Sequence, residues 1–126
     1  YVQATNEWHQ VLTNSLASVA ARSQAEFGIA KVYERQAENL EATEQKQVLE
    51  LAWNRYLNIV YGNGLGTEKP DPYWVKEAGL AAGQLAVRLL KTQEAIRLYQ
   101  RLSTELPALH ETFAKKLNEL QQGPPK

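Results

Sequence analysis

The chain has 126 residues, with 44% apolar and 22% charged side chains, which suits one globular domain of ordinary composition. Fourteen Lys and Arg balance fourteen Asp and Glu. A neutral chain lacks the cationic surface needed to displace counterions from nucleic-acid phosphates or to hold an anionic bilayer, so neither partner is expected. Cysteine is absent, which excludes disulfides, thiolate chemistry and Cys-based zinc sites. No apolar run reaches the roughly 18 residues a membrane span needs, and no basic segment followed by an apolar run marks a signal peptide. Compartment is left open. The sequence lacks Met and starts at Tyr1, so it reads as a segment of a longer protein.

Pro and Gly cluster at 62–72 and 123–125, and strong helix formers fill the rest, with no alternating β-branched run. A first helix is expected over 2–16, with Ala4, Trp8, Val11 and Leu12 on one stripe. A second covers 18–41, with Ala25, Ile29, Val32 and Tyr33 on one face. The third covers 44–61, capped by Thr43, with a stripe of Val48, Leu51, Ala52, Tyr56, Ile59 and Val60. Gly62 to Pro70 is a loop. Asp71 then suits an N-cap and Pro72 a first turn, where a missing N–H is harmless.

The fourth helix, 72–90, is apolar on most of its circumference and is expected to be the most buried. Its small residues, Gly79, Ala81, Ala82, Gly83 and Ala86, permit close approach of a neighbour. Thr92 caps a fifth helix over 93–105. Pro107 opens a sixth over 107–121, with Leu109, Phe113, Leu117 and Leu120 on its stripe. Residues 1–122 then form one domain, and 123–126 a tail or linker.

A pattern of Ala, an aromatic four residues on and an aliphatic three further occurs three times: Ala4/Trp8/Val11, Ala52/Tyr56/Ile59 and Ala95/Tyr99/Leu102. Gly28-Ile29-Ala30 and Gly79-Leu80-Ala81 precede the second and third copies. Each unit is therefore a helix with a small-residue seam followed by a helix carrying the Ala–aromatic–aliphatic stripe. One such pair cannot cover its own apolar face, so the units are expected to stack.

Residues 83–107 resemble a tetratricopeptide repeat: Gly83, Ala95, Tyr99, Leu102 and Pro107 fall at that family's spacing. The segment 25–33 resembles a first helix and Ala52/Tyr56 a second, although Gly28 and Ala52 lie about twice as far apart as the family keeps them. Residues 1–16 resemble a second helix without its first. The regular period of about 34 residues is not kept. Gly79 and Gly83 compete for one role, and the family spacing favours Gly83. The resemblance implies an all-α, right-handed stack of antiparallel helix pairs, about six helices with a C-terminal capping helix.

Signs of chemistry are sparse. His110-Glu111 begins like a metalloprotease helix without the second His, and His9 is the one other imidazole. Gly62-x-Gly64-x-Gly66 follows a helix, not the strand that a phosphate loop needs. Glu34, Glu38, Glu41 and Glu44 lie among polar neighbours and read as a solvated face. No catalytic, metal or cofactor residue is assigned. Trp53, one residue off its stripe, and Tyr73, beside the loop, are candidate exposed anchors.

The expected function is a non-catalytic scaffold for a protein or peptide partner. In the resembled family the first helices line a groove that takes a peptide or a helix. By position this implicates Arg22, Ile29, Val32, Gln84, Val87 and Arg88, with Gln84 and Arg88 holding peptide backbone or carboxylates. Two alternatives stand: self-association through the open helix at 1–16, and a helical accessory domain of an enzyme that uses the 62–72 loop.

Overall fold

A computed structural model describes residues 18–62 and 68–121. The helix expected over 2–16, with Trp8 and His9, lies outside the described residues, as do Gly64 and Gly66 of the loop. The described residues are helical without strand: α1 (Val19–Ala37), α2 (Ala42–Tyr61), α3 (Pro72–Arg88), α4 (Thr92–Glu105) and α5 (His110–Gln121), with a 3-10 turn at Pro107–Leu109. Among them no helix is long and apolar enough to cross a membrane.

The helix ends follow local chemistry. Ser18 caps α1 by accepting from the Ala21 N–H at 3.0 Å, and Asp71 caps α3 by accepting from the Trp74 N–H at 3.2 Å, with Pro72 in the first turn. The expected second helix is shorter at its C-terminal end. It stops at Ala37 because turn bonds from Glu38 to Arg35 and from Leu40 to Ala37 replace the helical ladder. The Gln45 amide then donates to the Ala37 carbonyl at 2.9 Å. Thr43 is not the cap of α2, since Glu41 holds the extended capping position, and Thr92 is the first residue of α4, not its cap. Gly62 ends α2 in the left-handed region, φ 67°. Pro107 opens the short 3-10 turn, and the α-helix proper starts at His110.

The buried stripe of α2 is Leu49, Ala52, Tyr56, Ile59 and Val60. Leu51 was expected on that stripe but lies on the other side of the helix, 48% exposed. At about 100° per residue it falls well away from Ala52 and Tyr56, and Leu49 takes the place. Helix α3 buries Val75, Ala78, Gly79, Ala82, Gly83, Leu85 and Ala86, the largest buried set of any described helix, as its composition implies.

Consecutive helices pack on one another throughout, and α1 also touches α3. Contact between α1 and α4, as a closed four-helix bundle requires, is absent among the described residues. Phe27 of α1 meets Tyr56 of α2 edge-on at 5.3 Å and Trp74 of α3 at 5.4 Å, so one ring joins three helices. Tyr99 of α4 packs over Gly83 of α3 and stacks on Phe113 of α5 at 6.0 Å. Both glycines of α3 are used on adjacent turns, Gly79 beneath Leu102 and Gly83 beneath Tyr99.

A methyl group at either glycine would collide with its partner, but the partners differ. Leu102 offers the mobile end of an aliphatic side chain, and Tyr99 offers a ring held by Phe113. Gly83→Ala should therefore destabilise the fold by about 1–3 kcal/mol despite the better helix propensity of Ala. Gly79→Ala should cost less. Urea unfolding of the two variants checks the order, and equal stability would show that the ring moves freely.

Candidate interaction surface

Ionisable side chains inside the α1–α2 interface are structural links. Glu26 is 9% exposed, and its two oxygens accept from Arg55 Nη1 at 2.6 Å and Asn58 Nδ2 at 2.9 Å. Both acceptor atoms are occupied by donors from α2, so the carboxylate ties the two helices together. Glu34 was expected on a solvated face, but it accepts a hydrogen bond from the Tyr56 hydroxyl and pairs with Lys31 at 3.4 Å. Lys31 also lies over the rings of Phe27 and Tyr56, at 5.3 and 5.8 Å. Glu38, Glu41 and Glu44 are exposed, as read from the sequence.

Burial, and then Glu34 through its hydrogen bond and its charge, pushes the Tyr56 phenol above its ordinary range. Burial first, and the charge of Glu119 second, does the same to Tyr99. Both phenols stay neutral, and neither is primed as a base. Among the described residues no group of three or more His, Asp and Glu side chains is placed to hold a metal ion. His110 sits at the start of α5, with Nδ1 against the Ser103 hydroxyl of α4. Ser103 is buried, so the contact pins α5 to α4 and offers no open nucleophile.

The eight candidate binding residues separate into groups. Tyr73, Gln84, Val87 and Arg88 share the outward face of α3. Tyr73 is 55% exposed and Val87 43%. Tyr73 packs edge-on against Trp74 at 5.0 Å and lies beneath Lys76 at 5.1 Å. It sits at the opposite end of α3 from Arg88, about 22 Å away along the axis. On α1, Arg22 and Val32 are half-buried, and Ile29 is completely enclosed. Ile29 is therefore a packing residue here, with no surface for a partner to touch. Trp53 is half-buried, with the Lys91 ammonium 5.0 Å from its ring, so it is less of an anchor than its register suggested. Of the 62–72 loop, Glu68, Lys69 and Pro70 are exposed and Asp71 serves as the helix cap.

One feature that the sequence reading missed lies beside Arg88. A cleft of about 190 Å³ opens between the first turns of α2 and the end of α3, lined by Ala42, Gln45, Lys46, Leu49, Arg88, Leu89 and Leu90. The α2 residues recur at helical spacing, so they share one face. That pattern could have been found, but its polar members hide it among ordinary surface residues. The end of α3 closes in a Schellman motif. The Lys91 N–H donates to the Ala86 carbonyl at 2.7 Å, and the Leu90 N–H to the Val87 carbonyl at 3.1 Å. Leu90 occupies the left-handed position that usually belongs to glycine, φ 61°, with 89% of its surface exposed.

Comparison with models of known protein families, with curated proteins and with solved structures finds no match.

Glu26→Ala would remove the acceptor for both Arg55 and Asn58, and should destabilise the chain by about 1.5–3 kcal/mol in chemical denaturation. The raised phenols set an alkaline limit. Stability should be complete below about pH 10 and fall as pH rises above it, because the unfolded chain ionises its tyrosines first.

Proposed function

We propose that this chain is a non-catalytic protein-interaction module, built as a tetratricopeptide-like right-handed stack of helix pairs, that takes a peptide or protein partner on the outward face of α3. The observation that carries the proposal is the position of that face. Helix α3 touches α1, α2 and α4, yet Tyr73, Gln84, Val87 and Arg88 remain on its outer side. Among the described residues α1 and α4 make no contact that would close the stack, and the outer side of α3 is exposed. Its composition suits a partner: an aromatic at one end, an aliphatic and an amide in the middle, and a guanidinium at the other. The internal ionisable groups are engaged in holding helices together, which favours a scaffold over an acid–base catalyst.

The two Ala–aromatic–aliphatic units within the described residues support the repeat reading in the same way. Tyr56 and Tyr99 are both buried second-helix aromatics, each in contact with a ring from another helix. A further repeat or cap stacked at the N-terminal side would extend the same plan.

Peptides selected by display on the wild-type chain provide the test. Double replacement of Gln84→Ala and Arg88→Glu should weaken the selected peptides by about tenfold or more. Circular dichroism should stay unchanged, since both side chains are exposed. Binding that is indifferent to both changes removes the α3 face as the site.

A further inference from the structure

We infer that the cleft between α2 and the α3–α4 turn holds one branched aliphatic side chain of an acidic peptide segment, with Lys46 and Arg88 meeting carboxylates on either side of it. The inference rests on the interaction reading above and names the partner's chemistry at a second place, around the edge of the stack from the α3 face.

Size comes first. The cleft measures about 190 Å³, and roughly 150 Å³ is enough for a benzene-sized group. Its apolar lining comes from Ala42, Leu49, Leu89 and Leu90, so it offers an aliphatic side chain contact on several sides. A larger aromatic pair or a packed helix would not fit.

Charge decides the rest. Lys46 and Arg88 are the charged residues of the lining, both exposed, and no carboxylate lines the cleft. Neither has an ion pair or hydrogen bond among the described residues. Four other surface cations are matched. Lys31, Lys76, Lys91 and Arg101 each have a carboxylate within 3.6 Å and an aromatic ring beneath them. Lys91 is the neighbour of Leu90, yet it is committed to Glu50 at 3.4 Å and to the Trp53 ring. In a chain of zero net charge, two unmatched cations beside an apolar cleft favour an anionic partner.

The backbone of Leu90 supplies an independent argument. Any residue with a Cβ is strained in the left-handed region, and glycine would close the same Schellman turn freely. Leu90 gains little from burial, since it is 89% exposed, so its side chain does not offset the strain that the Schellman bonds carry. A partner side chain seated in the cleft would cover it.

The probe is an end-capped pentapeptide, acetyl-Glu-Asp-Leu-Asp-Glu-amide, titrated into the isotope-labelled 126-residue chain and followed by amide chemical shifts. Saturable shifts are expected at 42–49 and 88–91. Affinity should fall about tenfold in Lys46→Glu and in the peptide with Ala for Leu, and a Lys-for-acid peptide should not bind. Leu90→Gly adds a readout that a purely structural role would not give: higher stability to urea together with weaker peptide binding. No saturable shift in the cleft, equal binding of the basic peptide, or wild-type affinity in Lys46→Glu would each overturn the inference. If display-selected peptides still depend on Gln84 while Lys46→Glu has no effect, the α3 face stands and the cleft falls. If the pentapeptide behaves as expected while Gln84→Ala and Tyr73→Ala leave selected peptides unaffected, the cleft stands and the α3 face falls.

Discussion

Tyr99 is placed where three helices meet, and its ring can lie there because Gly83 has no side chain. Behind it Phe113 stacks at 6.0 Å, so one aromatic sets the approach of α3 to α4 and the docking of α5 on both. The close approach brings Leu102 down onto Gly79 one turn away, and Ala95 into a fully buried position. The C-terminal half of the described stack follows from this one contact between a ring and a bare backbone. Close packing leaves little room for an alternative arrangement of those side chains.

The N-terminal pair is joined by other means. Between α1 and α2 the apolar packing is joined by polar links: Glu26 with Arg55 and Asn58, and Tyr56 with Glu34. A partly buried carboxylate with both oxygens satisfied discriminates sharply between registers, because a slip of either helix would leave a desolvated charge unpaired. Phe27 couples the two halves, since it touches Tyr56 on one side and Trp74 on the other.

Much of the helical architecture was legible in the sequence. Helix formers, the Asp71-Pro72 start and the Gly62 stop mark the helices, and the Ala–aromatic–aliphatic stripe identifies Tyr56 and Tyr99 as core. The choice between Gly79 and Gly83 proved unnecessary, because adjacent turns of one seam face the same neighbouring helix. Leu51 was misplaced because Val48, Leu49 and Leu51 are all apolar, and composition alone does not set the phase of the stripe. Glu26 was overlooked for a related reason: a carboxylate at an inward position looks like any surface Glu until its donors, 29 and 32 residues away, are brought beside it. The cleft was hidden more deeply. It is made by two segments that are separate in sequence, and by a left-handed Leu90 that no propensity would assign.

Packing mainly between neighbouring helices also has a kinetic meaning. Almost every interface joins segments linked by a short turn, so little loop entropy must be lost before a contact forms. Chains of this kind condense quickly, because their native contacts are local. The link between α2 and α3 is the exception among the described helices, since its two ends are separated by the 62–71 stretch. The contact between Phe27 and Trp74 spans this longer link, so more loop entropy is lost in closing it than in closing the contacts across the short turns.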